Sequence, residues 1–248
     1  MATIGIFDSG SGGLSVLREV RKLIPGARYI YFSDNAFCPY GGRTPEEIRQ
    51  RCALITEDLL KDGADAIVVA CNTATGAAIS MLRDSYDIPF VGMEPAVKPA
   101  ALQTRTGVIG VLATEGTLHA SKYLMTKGRF EADVRIEERV GRGFVELVES
   151  LQLEGPHAKA VVSASLVPLL EAGADNIVLG CTHYPFLLPL MKKIAAPGIN
   201  FIDPAPAVAR RLKDVLALAG IPEESACPGV ELRASGSRDT LERLYSLI

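Results

Sequence analysis

The chain has 248 residues, of which 48% are hydrophobic and 22% charged, and its formal net charge is −3. This balance is ordinary for a globular protein and lacks the basic excess that is typical of nucleic-acid-binding surfaces. No apolar stretch is long enough to cross a bilayer and the first residues do not resemble a signal peptide, so we expect a cytoplasmic protein that binds neither membranes nor nucleic acids.

Short apolar segments alternate with amphipathic segments along the whole chain, which predicts an α/β fold with mostly parallel sheets. The pattern predicts strands at 3–7, 28–32, 66–70, 107–112, 176–179 and 230–234, and helices at 13–24, 45–61 and 239–247. Pro45 opens the second of these helices, since proline is well tolerated in a first helical turn.

An internal repeat divides the chain. Residues 59–71 read LLKDGADAIVVAC and residues 169–181 read LLEAGADNIVLGC, with eight of thirteen positions identical. A weaker echo pairs IGIFDSGSGG, from Ile4, with IGVLATEGTL, from Ile109. The repeat predicts two similar α/β domains related by a pseudo-twofold axis, 1–95 plus 208–248 and 96–207, with the last segment crossing back to the first domain and the active site in the cleft between them. The alternative is one larger sheet with an accidental repeat.

Each repeat ends in a cysteine, Cys71 in the first copy and Cys181 in the second. Ligands bind at the carboxyl ends of strands in open α/β sheets, so two facing halves would bring the two thiols to one cleft. Two acid/base groups on opposite faces of a substrate suit racemisation, in which one group removes the Cα proton and the other returns a proton to the opposite face. Two alternatives remain, small buried hydrophobic residues or a disulfide, and the expected reducing compartment disfavours the disulfide.

The first turn, FDSGSGG, is rich in glycine but lacks the Gly-Lys-Ser/Thr ending of a phosphate-binding loop. We expect its glycines to let the backbone approach a small ligand. Asp8 is placed to orient a thiol or to bind an ammonium group, and its alternative role is a cap for the following helix. The spacing of cysteines and histidines predicts no metal site, and no lysine stands in a context that is typical of a pyridoxal phosphate Schiff base.

Seven blocks of sequence, in order along the chain, resemble the glutamate racemase family of the aspartate/glutamate racemase superfamily. They are GIFDSGSGG (5–13), SDNAFCPYG (33–41), VVACNTAT (68–75), GMEPAVKPA (92–100), LVES (147–150), LGCTHYP (179–185) and IDPA (202–205). The resemblance implies two α/β domains with the active site between them, racemisation without a cofactor, and a role in supplying D-glutamate for peptidoglycan.

The resemblance also implies roles for individual residues. Cys71 would be the base toward D-glutamate and Cys181 the base toward L-glutamate, with Asp8 beside the first thiol and His183 beside the second. Asp34 and Glu149 match further acidic positions that influence catalysis. The positions that match substrate contacts are Asp8, Ser9, Tyr40, Gly41, Asn72, Thr73, Thr114, Thr117, Thr182 and His183.

His183 favours glutamate over aspartate, because aspartate racemases usually carry Glu at this position. Cys38 departs from the family pattern, which often has other small or apolar residues there. The chain starts almost directly at the first strand, so we expect none of the activation by a cell-wall precursor that some relatives achieve through an N-terminal extension. A homodimer is compatible with the family. Two other functions stay open, a racemase for aspartate, hydantoin or another carboxylate and a non-catalytic module that binds glutamate or a protein.

Overall fold

Two parallel sheets organise the protein, whose computed structural model describes residues 2–248. The strands are β1 (Thr3–Asp8), β2 (Arg28–Ser33), β3 (Ala66–Val69), β4 (Phe90–Gly92), β5 (Val108–Ala113), β6 (Arg135–Val140), β7 (Asn176–Gly180), β8 (Asn200–Ile202) and β9 (Gly229–Ala234). Their order is β4-β3-β1-β2-β9 in the first sheet and β6-β5-β7-β8 in the second, and every pairing is parallel. The predicted fold class, α/β with two parallel sheets, is confirmed.

Helices connect the strands and cover both faces of the sheets. They are α1 (Leu14–Leu23), α2 (Pro45–Lys61), α3 (Asn72–Ser85), α4 (Val97–Gln103), α5 (Glu115–Leu118), α6 (Ser121–Gly128), α7 (Phe144–Glu149), α8 (Pro156–Glu171), α9 (Leu188–Ile194), α10 (Ala205–Leu218) and α11 (Asp239–Tyr245). Helix α2 begins at the predicted proline, and the Thr44 hydroxyl caps it by accepting the Glu47 N–H while the Glu47 carboxylate accepts the Thr44 N–H. None of these helices within residues 2–248 is both long and apolar enough to span a membrane.

The two sheets repeat one strand order. The series β2-β1-β3-β4 in the first sheet corresponds to β6-β5-β7-β8 in the second, as the sequence repeat predicts. Strand β9 is additional and pairs with β2, so the last segment does cross back to the first sheet. The boundaries of the two domains near residues 95 and 207 stay a prediction.

The core follows from the alternation of side chains along the strands. In β1, Ile4 and Ile6 pack with α1 on one face, whereas Phe7 packs with α2 and α3 on the other. The face of the first sheet that α1 covers and the face of the second sheet that α7, α8 and α9 cover belong to one continuous cluster of buried side chains. This common core holds the ends of β3 and β7 toward each other.

Candidate active site

The carboxyl ends of the strands at the centre of each sheet carry the two predicted thiols. The chain leaves β1 toward β2 on one side and returns to β3 on the other, and such a reversal of direction is where open α/β sheets bind ligands. Cys181 follows β7 directly, while one residue, Ala70, separates Cys71 from the end of β3, so each strand end differs by one residue from the predicted bounds. Asp8 is the last residue of β1.

Both thiols line one small cavity between the two sheets. Its lining consists of Ser9, Pro39, Tyr40, Gly41, Cys71, Asn72, Thr73, Thr114, Val145, Gly180, Cys181 and His183. Most of these residues are ones that the sequence predicted, although they come from segments up to 174 residues apart. The cavity volume is about 10 Å³, close to what one water molecule requires, so this conformation is closed to any larger molecule.

Cys71 occupies the N-cap position of α3. Its sulfur accepts the Ala74 N–H at 3.5 Å and lies 3.7 Å from the Ser9 hydroxyl oxygen. Burial, and after it the negative charge of Asp8, raise the pKa of the Cys71 thiol well above its ordinary value. Cys71 therefore holds its proton in the free protein.

Asp8 combines the two roles that the sequence left open. Its buried carboxylate accepts the Gly13 N–H at 2.9 Å and the Gly10 N–H at 3.3 Å, which caps the turn before α1. It also accepts the Thr182 hydroxyl at 3.3 Å, and its charge acts on Cys71. Burial raises the pKa of Asp8, although His183 and the Gly13 N–H act in the opposite direction. Asp8 thus links the turn after β1 to the turn after β7.

Cys181 has a different neighbour, the imidazole of His183. The ring Nδ1 lies 3.7 Å from Cys181 Sγ, and Nε2 lies 2.8 Å from a carboxylate oxygen of Glu149. Burial alone would lower the pKa of His183, but hydrogen bonds with Cys181, Cys38 and Glu149 raise it well above its ordinary value. The raised pKa favours the protonated ring, which lies within donating distance of Cys181.

Glu149 completes this arrangement from α7. Its carboxylate accepts the Ser11 N–H at 2.6 Å and the Ser11 hydroxyl at 3.1 Å in addition to the His183 ring. Burial would raise the pKa of Glu149, but His183 and Ser11 outweigh burial and lower it. The two thiols consequently face opposite charges, a carboxylate at Cys71 and an imidazolium at Cys181.

Several polar groups in and next to the cavity have unused hydrogen-bonding capacity. Among the described residues, Asn72 buries both its side-chain oxygen and its side-chain nitrogen without a protein partner. Three hydroxyls, those of Thr73, Thr114 and Thr117, lie within 2.8 to 3.2 Å of one another. A buried polar group without a partner costs about 1–3 kcal/mol, so Asn72 is a group that a polar ligand would satisfy.

Asp34 lies behind the cavity and does not line it. Its fully buried carboxylate makes a bidentate ion pair with Arg51, at 2.9 and 2.7 Å, and accepts the Tyr40 hydroxyl. Tyr40 does line the cavity. Asp34 is therefore connected to the cavity through Tyr40, and its influence on catalysis stays a prediction. Sequence reasoning missed Arg51, because nothing distinguishes it from the nearby Arg49 before the fold is known.

The glycines of the first turn lie in close contact with side chains from other segments of the chain. A side chain at Gly10 would meet Cys38 Sγ and His183 Nε2 at 3.0 Å, and one at Gly12 would lie 2.6–2.7 Å from carbon atoms of the His183 ring. These glycines therefore make room for side chains that approach from other segments, His183 above all, while the expectation that they let the backbone approach a ligand stays a prediction. The same contact region includes two serines that the sequence did not single out. The Ser11 N–H donates to the Glu149 carboxylate, and the Ser15 hydroxyl donates to the Thr182 carbonyl at 3.0 Å.

Comparison with known proteins adds independent observations. The family model described as Asp/Glu/Hydantoin racemase matches residues 11–212. A glutamate racemase of Ectopseudomonas mendocina is 50% identical over 87% of this chain and 82% of its own length, and one of Pseudomonas aeruginosa is 44% identical over 100% of this chain and 94% of its own length. Among solved structures, Escherichia coli glutamate racemase in complex with L-glutamate and an activator superimposes with a TM-score of 0.89, at 33% identity, over 99% of this chain and 93% of that one.

Proposed function

The chain belongs to the Asp/Glu/Hydantoin racemase family, and we propose that it interconverts L- and D-glutamate with Cys71 and Cys181 as its two acid/base groups. The observation that carries the proposal is that two thiols from equivalent positions of two sheets line one closed cavity. A protein that only binds glutamate has no need of two thiols in opposite electrostatic surroundings. Thiols that served only as small buried hydrophobic residues would not require an aspartate and a histidine beside them.

The surroundings of the two thiols support one direction of proton transfer for each thiol. In the L-to-D direction, the Cys181 thiolate, paired with the His183 imidazolium, takes the Cα proton of L-glutamate. The Cys71 thiol, which burial and Asp8 keep protonated, then gives its proton to the opposite face of the carbanion. The product is D-glutamate, with a thiol at Cys181 and a thiolate at Cys71. The reverse reaction starts from that state, and the chemistry requires no cofactor.

The binding of glutamate uses the polar groups that line the cavity. The side-chain amide of Asn72 and the hydroxyls of Thr73 and Thr114 are available to the substrate carboxylates, together with Ser9 and the loop that carries Tyr40 and Gly41. The remaining predicted contacts, from Asp8, Thr117, Thr182 and His183, adjoin this set. Because the cavity is closed, we propose that the two halves open for each substrate and close again to exclude water.

Glutamate is favoured over other substrates by two observations. Relatives from Ectopseudomonas mendocina, Stutzerimonas stutzeri and Pseudomonas aeruginosa, at 44–50% identity, are named glutamate racemases. The sequence resemblance also implies glutamate, because aspartate racemases usually carry Glu at the position of His183. The cellular role that we propose is the supply of D-glutamate for peptidoglycan in the cytoplasm, where the five free cysteines would stay reduced.

The test is incubation of the purified, reduced protein with L-glutamate in D2O, with optical rotation and deuterium at Cα followed together. We expect the rotation to disappear while deuterium enters at Cα, and aspartate to give a much lower kcat/KM in the same assay. Cys71→Ala and Cys181→Ala should each abolish racemisation, whereas Cys227→Ala, which changes an exposed thiol, should leave it unchanged. Steady-state racemisation in Cys181→Ala would exclude the two-base mechanism, and glutamate binding without Cα exchange would favour a binding module.

A further inference from the structure

A second cluster of reactive side chains lies next to the cavity, on the side away from Cys71. Cys38, Glu149 and His183 each offer one atom that could bind a metal ion, and these atoms all lie within 4.8 Å of one another. They come from the loop after β2, from the end of α7 and from the turn after β7. The backbone of Gly10 lies beneath them, and its missing side chain is what allows them to approach each other.

We propose that Cys38, Glu149 and His183 form an inhibitory binding site for a divalent cation that prefers sulfur and nitrogen ligands, with Zn²⁺ as its representative. A thiolate, an imidazole and a carboxylate are all ligands that Zn²⁺ takes, whereas Mg²⁺ and Ca²⁺ prefer sites made of oxygen atoms. Ideal tetrahedral coordination separates neighbouring ligand atoms by about 3.4–3.6 Å. The observed separations bracket these values, with 2.8 Å between His183 Nε2 and the Glu149 oxygen and at most 4.8 Å within the set.

The ion has a route to the site that does not pass through the catalytic cavity. Cys38 and Glu149 also line a surface cavity of about 330 Å³, together with Asn35, Glu146, Ser237 and Thr240. This cavity leaves space for a water molecule as the fourth ligand, which three-residue zinc sites retain. The ion can therefore reach Cys38 and Glu149 from the surface while the catalytic cavity stays closed.

Binding would act on catalysis through His183. With Nε2 on the ion, the ring keeps one proton on Nδ1, which faces Cys181 at 3.7 Å. The imidazole is then held by the ion and no longer pairs with the Glu149 carboxylate as a cation. We expect this change at His183 to inhibit racemisation. The inhibition rests on the proposed racemase function, whereas binding of the ion does not. We expect a lower kcat with little change in the KM for glutamate.

Direct binding measurements test the site without reference to activity. Calorimetry with Zn²⁺ should give one site in the reduced wild-type protein, and Co²⁺ should give the near-ultraviolet absorption of a thiolate-bound cobalt ion. Cys38→Val should weaken binding at least about 100-fold, because loss of even an outer partner of a metal site costs 10–100-fold. Cys227→Ser should bind Zn²⁺ with the affinity of the wild type. Cys181→Ala should also keep the site, which distinguishes it from an ion held between the two cleft thiols. Wild-type affinity in Cys38→Val, or loss of binding in Cys181→Ala, would overturn the proposal.

The activity measurement follows in the same proteins. Zn²⁺ should lower kcat of the wild type and a chelator should restore it. The same Zn²⁺ concentrations should lower kcat of Cys38→Val by a much smaller factor, relative to the metal-free rate of that variant. Binding of Zn²⁺ without inhibition would overturn the inhibitory role. A metal-free protein that fails to racemise glutamate would instead refute the proposed function, while the binding data would still decide whether the site exists.

Discussion

A methyl group at Gly12 should disable the site by displacing His183. A Cβ at this position would lie 2.6 and 2.7 Å from Cγ and Cε1 of the ring, where ordinary contacts start at 3.4 Å. The ring would have to retreat by about 1 Å, and a displacement of this size at a reacting group costs about 100-fold in rate. The ring cannot move freely, because Glu149 holds Nε2, and α1 is tied to the same turn by the Ser15–Thr182 hydrogen bond.

For Gly12→Ala we therefore expect kcat to fall about 100-fold, with a smaller change in KM and an overpacking cost of about 1–3 kcal/mol in unfolding free energy. The kcat/KM values for the two enantiomers should fall equally, since L- and D-glutamate have the same free energy in water. Racemisation assays in both directions, with circular dichroism to show that the fold is retained, measure this.

Gly128→Ala is the matched control, because a Cβ there meets no atom within 4 Å. It should keep the wild-type kcat. If Gly12→Ala also kept kcat within about twofold of the wild type, the position of His183 would not matter for catalysis, and the assignment of this ring to Cys181 would be refuted.

Two further predictions concern stability. Hydrogen bonds from Thr104, Arg105 and Asn176 outweigh the effect of burial on Asp175 and lower the pKa of its carboxyl group to about 2, below the usual 3.8. The Asp175 carboxylate should therefore contribute about 2 kcal/mol to the free energy of unfolding at pH 7, and about half as much at pH 3. Urea unfolding should therefore show a gap between wild type and Asp175→Asn that narrows as the pH falls, and a gap independent of pH would contradict the assignment. Arg51→Met leaves the buried Asp34 carboxylate without its cation and should destabilise the protein by about 3 kcal/mol in the same assay, whereas the exposed Arg49→Met should cost less than about 1 kcal/mol.

The fold and the thiol pair were predictable from the sequence because both depend on local pattern. Apolar runs and turn residues indicate the strands, and the repeat places Cys71 and Cys181 at equivalent strand ends. His183 and Glu149 were predictable only through the family resemblance, since nothing in the local sequence shows that residues 34 positions apart share a hydrogen bond.

The contacts that could not be predicted join segments that are distant along the chain. The approach of Gly12 to His183 and the pairing of Ser11 with Glu149 depend on how the two sheets pack, which periodicity does not record. Cys38 shows this most clearly. Its position in a loop near the site was predictable, but its proximity to His183 and Glu149 is visible only when three segments are placed together.

The pairing of β9 with β2 has a consequence for biosynthesis. Arg28 pairs with Gly229, so about 200 residues are made between the two strands, which takes about 10–40 s at ordinary rates of translation. During this interval the outer edge of β2 has open hydrogen-bonding groups and is exposed to pairing with another chain. When β9 arrives, it replaces that edge with one that carries Glu231 and Arg233, whose charges disfavour further strand addition. The nascent protein is therefore most prone to aggregate just before its last strand leaves the ribosome.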